Sequence, residues 1–263
     1  MAAIIKTRQD IARLREAGRL VANTYAVLRP HVKPGVTTAE LDRLAEEFIL
    51  SRGALPLYKG YGAEPARRGR PARAPFPGTI CASVNDVVCH GIPSSREQLR
   101  EGDIIGVDIG VLYRGWCGDA CETMTVGQVS PETQRLVDVT YRCLELGIEQ
   151  AQPGKHLGDI GAAIQRYAEA QGFAVVRELA GHGVGRSLHE PDPSVLHFGT
   201  PGTGMRIEPG MVFTIEPMIN AGAAAIRVMP DQWVIRTADG SLSAQFEHTL
   251  AITEDGPELL TLP

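Results

Sequence analysis

The amino-acid sequence predicts an α+β fold in which two antiparallel sheet halves are flanked by helix pairs. One observation is an amphipathic helix pattern that occurs twice, each time after a Pro-Gly break. The second is that each copy leads into an apolar, glycine-containing strand that ends in an acid, at Asp108 and at Glu216. Duplicated halves of this kind place a site between them. We therefore expect one domain over residues 1–263, with halves at about 9–126 and 131–254.

The first helix pair is marked by its apolar spacing and by its ends. Residues 9–29 carry apolar side chains at helical intervals, and a second helix follows the break at Pro34-Gly35. Thr37 followed by Glu40 forms a capping box, which indicates where the second helix starts. Gly53 suits the position just past its C-terminus.

The pattern of this second helix returns 119 positions later in the chain. Pro153-Gly154 takes the place of Pro34-Gly35, and Gly172 takes the place of Gly53. This recurrence predicts an internal repeat. The alternative is that a Pro-Gly break and an amphipathic helix recur by chance.

Composition excludes several classes of protein. The formal net charge of −5 gives no general positive field for wrapping nucleic acid. The first residues contain no apolar stretch that resembles a signal sequence, and no run approaches the roughly 20 apolar residues that span a bilayer. The five cysteines are odd in number and contain no CxxC pair, which disfavours a disulfide framework and a zinc ribbon. We expect a cytoplasmic protein without a membrane partner.

One segment departs from this ordinary composition. Residues 62–79 form a basic, proline-rich loop in which Phe76 is the only large apolar side chain. We expect this loop to be mobile and not to pack. Its positive charges come from Arg67, Arg68, Arg70 and Arg73.

A predicted hairpin brings two acids together. Residues 103–111 and 117–126 are rich in strand formers and flank a turn at Arg114-Gly115. A two-residue turn places Asp108 and Asp119 on the same face as direct or diagonal neighbours. Two partly desolvated carboxylates this close are destabilising unless a cation joins them. The alternative is that Asp119 lies at a strand end in solvent.

Two more acids and a histidine extend this set. Glu216 and Glu247 lie in strongly strand-forming runs that contain no Lys or Arg, so four acids demand positive charge. His182, between glycines, can bind a metal as the neutral imidazole. Such a nitrogen and oxygen set suits Mn²⁺, Fe²⁺, Co²⁺ or Zn²⁺. Five ligands exceed the need of one catalytic ion, so two divalent metal ions are expected.

The remaining histidines divide by their setting. His90 and His189 stand in Gly/Pro-rich turns at the expected rim of the site, although a lone histidine in such a turn is more often a surface or hydrogen-bonded loop residue. His248 follows Glu247 directly, so on a strand it points to the opposite face. We assign three others to the surface or to packing: His31, His156 and His197.

Seven motifs in this order and spacing resemble those of the type I methionine aminopeptidases: VVCHGIP, GDIIGVDIG, GWCGDA, GHGVG, LHEP, FTIEPM and SAQFEHT. The resemblance extends over about residues 5–255. It implies the pseudo-symmetric pita-bread fold as a single catalytic domain, and the short bacterial form rather than type II. It also implies removal of initiator methionine from nascent polypeptides whose second residue is small.

The resemblance assigns roles residue by residue. It implies that Asp108 chelates one metal, that Asp119 and Glu247 bridge the pair, and that His182 and Glu216 bind the other. His90 and His189 would contact the peptide and the tetrahedral intermediate, and Glu216 would carry a proton from the attacking water to the leaving amine. Five residues match positions that line the methionine pocket: Tyr58, Tyr61, Cys81, Leu188 and Trp233.

The sequence departs from the family pattern at three positions, and it leaves two rival functions to be distinguished. Gly110 and Ala120 stand where threonine is usual beside the ligand aspartates, and Leu188 stands where many relatives have phenylalanine. A proline-specific aminopeptidase or dipeptidase of the same fold is one rival, and a catalytically inactive binding protein is another. We expect a monomer. The Arg-rich loop is either a transient contact with the ribosome or a tolerated insertion.

Overall fold

Helices come in two pairs along the chain in the computed structural model, which describes residues 3–65 and 72–263. Thr7 caps the first helix and accepts a hydrogen bond from the Asp10 amide, and Thr37 caps the second and accepts one from the Glu40 amide. Gly53 has a φ of 70°, as expected just past a helix end. The helices are α1 (Arg8–Leu28), α2 (Thr38–Ser51), α3 (Pro131–Gln150) and α4 (Leu157–Ala170), and a short 3₁₀ turn covers Arg29–His31.

Strands make up the rest of the regular structure. The first half carries β1 (Leu55–Pro56), β2 (Ile80–Val84), β3 (Val87–Cys89), β4 (Ile104–Tyr113) and β5 (Trp116–Thr125). The second half carries β6 (Ala174–Val175), β7 (Ala180–Gly183), β8 (Glu190–Leu196), β9 (Val212–Ile215), β10 (Met218–Asn220), β11 (Ile226–Val228), β12 (Ile235–Thr237), β13 (Ser243–Gln245), β14 (His248–Thr253) and β15 (Gly256–Leu259).

These strands pair in antiparallel fashion throughout the described residues. Strand β4 has β5 on one edge and β1 and β2 on the other. A five-stranded sheet has the order β15-β14-β9-β7-β8, and two three-stranded sheets have the orders β13-β10-β6 and β11-β12-β3. The predicted α+β class with antiparallel sheets is confirmed.

Each helix pair covers its own sheets. Apolar side chains of α1 and α2, such as Val21 and Leu41, share a buried cluster with Ile109 of β4. In the other half, Ile160 of α4 and Phe213 of β9 share a second cluster. Burying each of these large side chains contributes about 1.5–3 kcal/mol, which fixes the helices on the sheets. The division into halves at 9–126 and 131–254 stays a prediction.

The second half is divided more finely than the sequence predicts. Strands β9 and β14 pair in one sheet, and β10 and β13 continue the same two runs in another. The breaks fall at Glu216-Pro217 and at Phe246-Glu247. Pro217 has no amide hydrogen for a ladder, which helps to interrupt the run. Glu216 directly follows β9, close to the strand end that the sequence predicts, whereas Glu247 lies between β13 and β14 and not inside a strand.

The basic loop also differs from expectation. Arg67, Arg68 and Arg70 lie outside the described residues. Phe76 is 2% exposed, and a bridge pairs Glu64 with Arg73. The prediction that residues 62–79 do not pack is wrong for the described part, because a cluster of aromatic side chains accepts Phe76. None of the described helices is long and apolar enough to cross a membrane.

Candidate metal centre

The hairpin of β4 and β5 positions two carboxylates. Arg114 and Gly115 have φ of 50° and 79°, as a type I′ turn requires. The register pairs Asp108 with Cys121 and Asp119 with Gly110, so the two aspartates are diagonal neighbours on one face. This geometric prediction is confirmed. Asp119 is 2% exposed, whereas Asp108 is partly exposed to a pocket.

The two glutamates meet across the break between sheets. The register pairs Ile215 with His248 on one side of the break and Met218 with Gln245 on the other. Continuing either register places Glu216 opposite Glu247. Adjacent positions on neighbouring strands bring side chains on the same face within contact of each other.

Glu216 is held by hydrogen bonds from both sides of the break. Thr214 Oγ1 donates to Glu216 Oε1 at 2.8 Å, and Gln245 Nε2 donates to Oε2 at 3.3 Å. The same threonine oxygen accepts a hydrogen bond from the backbone amide of His182 at 2.9 Å. One hydroxyl therefore fixes both Glu216 and the strand that carries the histidine.

His182 completes the group from strand β7. A Cβ on the preceding Gly181 would lie 2.3 Å from the carbonyl oxygen of Thr214, so glycine permits the close approach of β7 to β9. The Nε2 atom of His182 lies 3.5 Å from Asp119 Oδ2 and 3.6 Å from Glu216 Oε1. Ligand atoms of Asp119, His182 and Glu247 all lie within 4.8 Å of one another.

Burial makes the charged state of the acids unfavourable. It raises the pKa of Asp108 to about 7 and that of Glu216 to about 8. The pKa values of Asp119 and Glu247 are raised well above their usual range, first by burial and then by the neighbouring carboxylates. These groups need a positive partner to ionise together at neutral pH.

Burial acts on the histidines in the opposite direction. It lowers the pKa of His182 to about 3, with the nearby His189 adding to the effect, and lowers that of His90 to about 4. Both rings are therefore neutral at pH 7. A neutral imidazole keeps a lone pair free for a metal.

The donor set suits divalent metal ions. The Oε1 atom of Glu247 is buried and accepts no hydrogen bond from any described residue. Among the described side chains, no Lys or Arg forms an ion pair with Asp108, Asp119, Glu216 or Glu247. A buried, unpartnered carboxylate oxygen beside a neutral imidazole is what a metal site requires before its ion is bound. All five predicted ligands line one cavity of about 430 Å³.

Two further histidines line this cavity. His90 has a φ of 55°, and its ring stands edge-on to Trp233 with the ring centroids 6.2 Å apart. His189 is exposed, its ring centroid lies 4.1 Å from that of His182, and its Nδ1 lies 2.6 Å from the hydroxyl of Tyr61. By contrast, His31, His156, His197 and His248 do not line the cavity.

An apolar wall adjoins the acids. It is formed by Tyr58, Phe76, Cys81, Leu188 and Trp233, which pack as one buried cluster. Four of these five were predicted from the sequence, and the predicted Tyr61 lies at the rim, 38% exposed. Phe76 was missed because its charged and proline-rich surroundings indicate a solvent loop; its aromatic character in that setting was the available signal.

A model of metallopeptidase family M24 matches residues 12–254. The chain belongs to metallopeptidase family M24. Its M24 match covers both the hairpin acids and the glutamates of the second half. The coarse expectation that the chain uses divalent metal is thereby supported.

The chain is also similar to proteins named methionine aminopeptidase. The chain is 47% identical over 258 residues to methionine aminopeptidase 1 of Bacillus subtilis (strain 168), covering 98% of each chain. Its structure matches that of methionine aminopeptidase from Rickettsia prowazekii with a TM-score of 0.92 and 45% identity, covering 99% of this chain and 100% of that one. These matches support the predicted resemblance.

A more distant likeness within family M24 shows the fold alone. The prolidase from Pyrococcus furiosus matches with a TM-score of 0.75 and 20% identity, and the match covers 99% of this chain but 66% of that chain. Similarity at this level carries no statement about activity. The rival function of a proline-specific enzyme therefore has weaker support than the methionine aminopeptidase resemblance.

Proposed function

We propose that this protein is a metal-dependent aminopeptidase that removes the N-terminal methionine from new polypeptides with a small second residue. The observation that carries the proposal is one cavity with two walls. One wall holds buried acids and the neutral His182, and the other is the apolar cluster around Trp233. The relatives named methionine aminopeptidase support the same activity.

The acids divide into ligands for two ions. Asp108 would hold one ion and His182 with Glu216 would hold the other, while Asp119 and Glu247 would be ligands shared by both. The chemistry of the set suits Mn²⁺, Fe²⁺, Co²⁺ or Zn²⁺. Two such ions, when bound, supply the positive charge that acidifies a water molecule and polarises the scissile carbonyl.

Glu216 moves the proton of the reaction. Its carboxylate accepts a proton from the attacking water and delivers it to the nitrogen of the leaving peptide. The hydrogen bonds from Thr214 and Gln245 fix the orientation of the carboxylate during both transfers.

His90 and His189 stabilise charge that develops on the substrate carbonyl. A neutral imidazole keeps one N–H that can donate to the developing oxyanion. When the Tyr61 hydroxyl donates to Nδ1 of His189, the ring hydrogen lies on Nε2, so the tyrosine selects the donor atom. Tyr61 is thereby a positioning residue for His189.

The apolar wall binds the side chain of the N-terminal methionine. Tyr58, Phe76 and Trp233 offer aromatic surfaces, and a thioether sulfur makes favourable contacts with aromatic rings. Leu188 and Cys81 close the wall with apolar surface. A branched or charged side chain would leave this surface unfilled or bury an unpaired charge.

The arginine-rich loop gives a further partner. We infer that Arg67, Arg68 and Arg70 contact ribosomal RNA transiently through its phosphates. Arg73 does not share this role, because it donates to Glu64 Oε1 at 2.5 Å and to the Gly62 carbonyl, and its guanidinium lies 4.5 Å from the Trp233 ring centroid.

We propose that the enzyme acts as a monomer in the cytoplasm.

Activity on defined peptides tests the proposed function. The metal-free protein is titrated separately with Mn²⁺, Co²⁺, Fe²⁺ and Zn²⁺, and hydrolysis of Met-Ala-Ser is compared with that of Ala-Pro and Met-Leu-Ser. We expect metal-dependent release of methionine from Met-Ala-Ser alone. Cleavage of Ala-Pro instead would identify a proline-specific enzyme, and metal binding without any hydrolysis would identify a binding protein.

A further inference from the structure

A side chain at position 110 is excluded by a neighbouring ring and not by the backbone conformation of Gly110. It lies inside β4, directly opposite Asp119, and its φ is not in the left-handed region. A Cβ at this position would lie 2.8 Å from Cε1 and 2.9 Å from Cζ of Tyr58. The ring of Tyr58 therefore occupies the volume that any side chain at position 110 would need.

The hydroxyl of this ring reaches both aspartates. It lies 2.5 Å from Asp119 Oδ1, and it also forms a short hydrogen bond with Asp108 Oδ1. A phenol has a single hydrogen, so when both acids are ionised the hydroxyl donates to one of them at a time. Hydrogen bonds to ionised acceptors are about twice as strong as neutral ones.

Tyr58 was expected only to line the methionine pocket, and threonine is usual at position 110 in the family that the sequence resembles. The structure brings these two residues into contact. The missing side chain at position 110 opens the space, and the tyrosine fills this space with a hydroxyl placed between the two carboxylates.

We propose that Tyr58 is a positioning residue of the metal centre, which holds Asp108 and Asp119 in the geometry that binds the ions, and that its ring uses the space that Gly110 leaves free in this chain. The inference rests on the proposed function in so far as the two aspartates are metal ligands. Partners that orient metal ligands typically contribute 10- to 100-fold to metal affinity.

The first test is Tyr58→Phe, which removes the hydroxyl and keeps the ring that lines the pocket. Calorimetric titration of the metal-free protein with Co²⁺ is expected to show a dissociation constant raised by about 10-fold or more. The visible spectrum of the Co²⁺-loaded protein is expected to change, because the ligand geometry changes.

Tyr25 provides a matched control for the loss of a buried tyrosine hydroxyl. Its hydroxyl lies within hydrogen-bond distance of the backbone carbonyls of Val107 and Ala120, at 2.9 and 2.6 Å, so it contacts the same hairpin without contacting a carboxylate. Tyr25→Phe is expected to lower the free energy of unfolding and to leave the Co²⁺ dissociation constant unchanged. An equal loss of Co²⁺ affinity in both variants would reduce Tyr58 to general support of the hairpin and overturn the proposal.

The second test is a double-mutant cycle between positions 58 and 110. Gly110→Thr alone is expected to weaken Co²⁺ binding, because the new side chain displaces the ring. In a Tyr58→Ala background the same change is expected to strengthen Co²⁺ binding, because the threonine hydroxyl enters the vacated space beside the aspartates. Additive effects in this cycle would refute the shared space.

Failure of this inference can be distinguished from failure of the proposed function. A wild-type protein that binds Co²⁺ while Tyr58→Phe binds it equally tightly overturns the role of Tyr58 alone. A wild-type protein that neither binds Co²⁺ nor hydrolyses Met-Ala-Ser overturns the proposed function itself.

Discussion

Lys6 and Glu190 form an ion pair whose side chains are almost completely buried, at 3% and 7% exposed. The Lys6 ammonium also donates to the carbonyl of Ile4 at 3.0 Å. The backbone amide of Lys6 donates to the carbonyl of Gly210 at 2.7 Å. Glu190 directly follows His189 in the chain. The ion pair thereby connects the segment before α1 to the loop that carries His189, a catalytic residue of the proposed mechanism.

Breaking this pair is expected to destabilise the protein strongly. Lys6→Met leaves Glu190 as an uncompensated buried charge, so the free energy of unfolding should fall by about 3–5 kcal/mol. Urea denaturation of the metal-free protein measures the change. The exposed pair Arg43–Glu47 gives a control, since Arg43→Met should cost less than about 1 kcal/mol. A Lys6→Met/Glu190→Met double variant should recover much of the loss, and an unrecovered loss would contradict the electrostatic explanation.

Replacing either hairpin aspartate is expected to abolish activity. In Asp108→Asn or Asp119→Asn a neutral amide no longer offsets the charge of a divalent cation, so Co²⁺ affinity and hydrolysis of Met-Ala-Ser should both fall sharply. Calorimetry and a peptide assay on the same preparations measure the two effects. Asp138→Asn, on the exposed face of α3, is the matched control. Full activity in either hairpin variant would remove that residue from the metal centre.

The hairpin was predictable because its geometry is local. Strand-forming runs around Arg114-Gly115 determine the turn, and the turn determines which face Asp108 and Asp119 share. The meeting of Glu216 and Glu247 was not predictable in this way. Their residues are far apart in the chain, and the register that opposes them exists only once the sheets have formed.

Side-chain volume was the other limit on prediction from sequence. From the sequence alone, Gly110 indicates that a side chain supporting the ligand aspartates is missing. The ring of Tyr58, which fills this space, comes from the segment after β1 and not from β4. Phe76 reads as part of a solvent loop, because the charges around it outweigh one aromatic residue. In both cases three-dimensional packing between distant segments decides the role.

The rim histidine should act on the reaction and not on metal binding. His189→Ala is expected to lower kcat by about 10²-fold, the scale for losing one electrostatic stabiliser, while Co²⁺ affinity stays unchanged. Tyr61→Phe removes only the hydroxyl that contacts Nδ1 and should lower kcat by less than about 10-fold. Steady-state kinetics at saturating metal separate the two. Loss of metal from His189→Ala would instead make this histidine a ligand.

Ribosome contact is tested by a variant that spares the pocket. Changing Arg67, Arg68 and Arg70 to Ser should weaken co-sedimentation with ribosomes at low salt and leave Met-Ala-Ser hydrolysis unchanged. Arg73→Ser is the counterpart: it frees Trp233 from its guanidinium and should raise the KM for Met-Ala-Ser without altering co-sedimentation. Unaltered co-sedimentation of the triple variant would leave the loop as a tolerated insertion.

The dependence of stability on pH follows from two opposing sets of buried groups. The pKa values of Asp108 and Glu216 are raised to about 7 and about 8, so the folded, metal-free protein keeps protons that the unfolded chain releases above about pH 4. The pKa values of His90 and His197 are lowered to about 4 and about 3 by burial, so these rings destabilise the fold as the pH falls below about 6.5. At pH 6.5 the imidazoles of the unfolded chain are about half protonated, and over the next pH unit they lose these protons while Glu216 still holds its proton in the folded state.

Between about pH 6.5 and 8 the metal-free protein should therefore lose stability as the pH rises. In this window the folded state binds more protons than the unfolded state, so the free energy of unfolding falls with a slope of up to about 1.4 kcal/mol per pH unit for each extra proton. Urea denaturation in EDTA at several pH values measures the slope. Glu216→Gln should reduce it, because one titrating group is removed. Saturating Co²⁺ should reverse it, since metal binding displaces protons from the acids. A metal-free protein that becomes more stable from pH 6.5 to 8 would show that the buried acids are ionised without a metal.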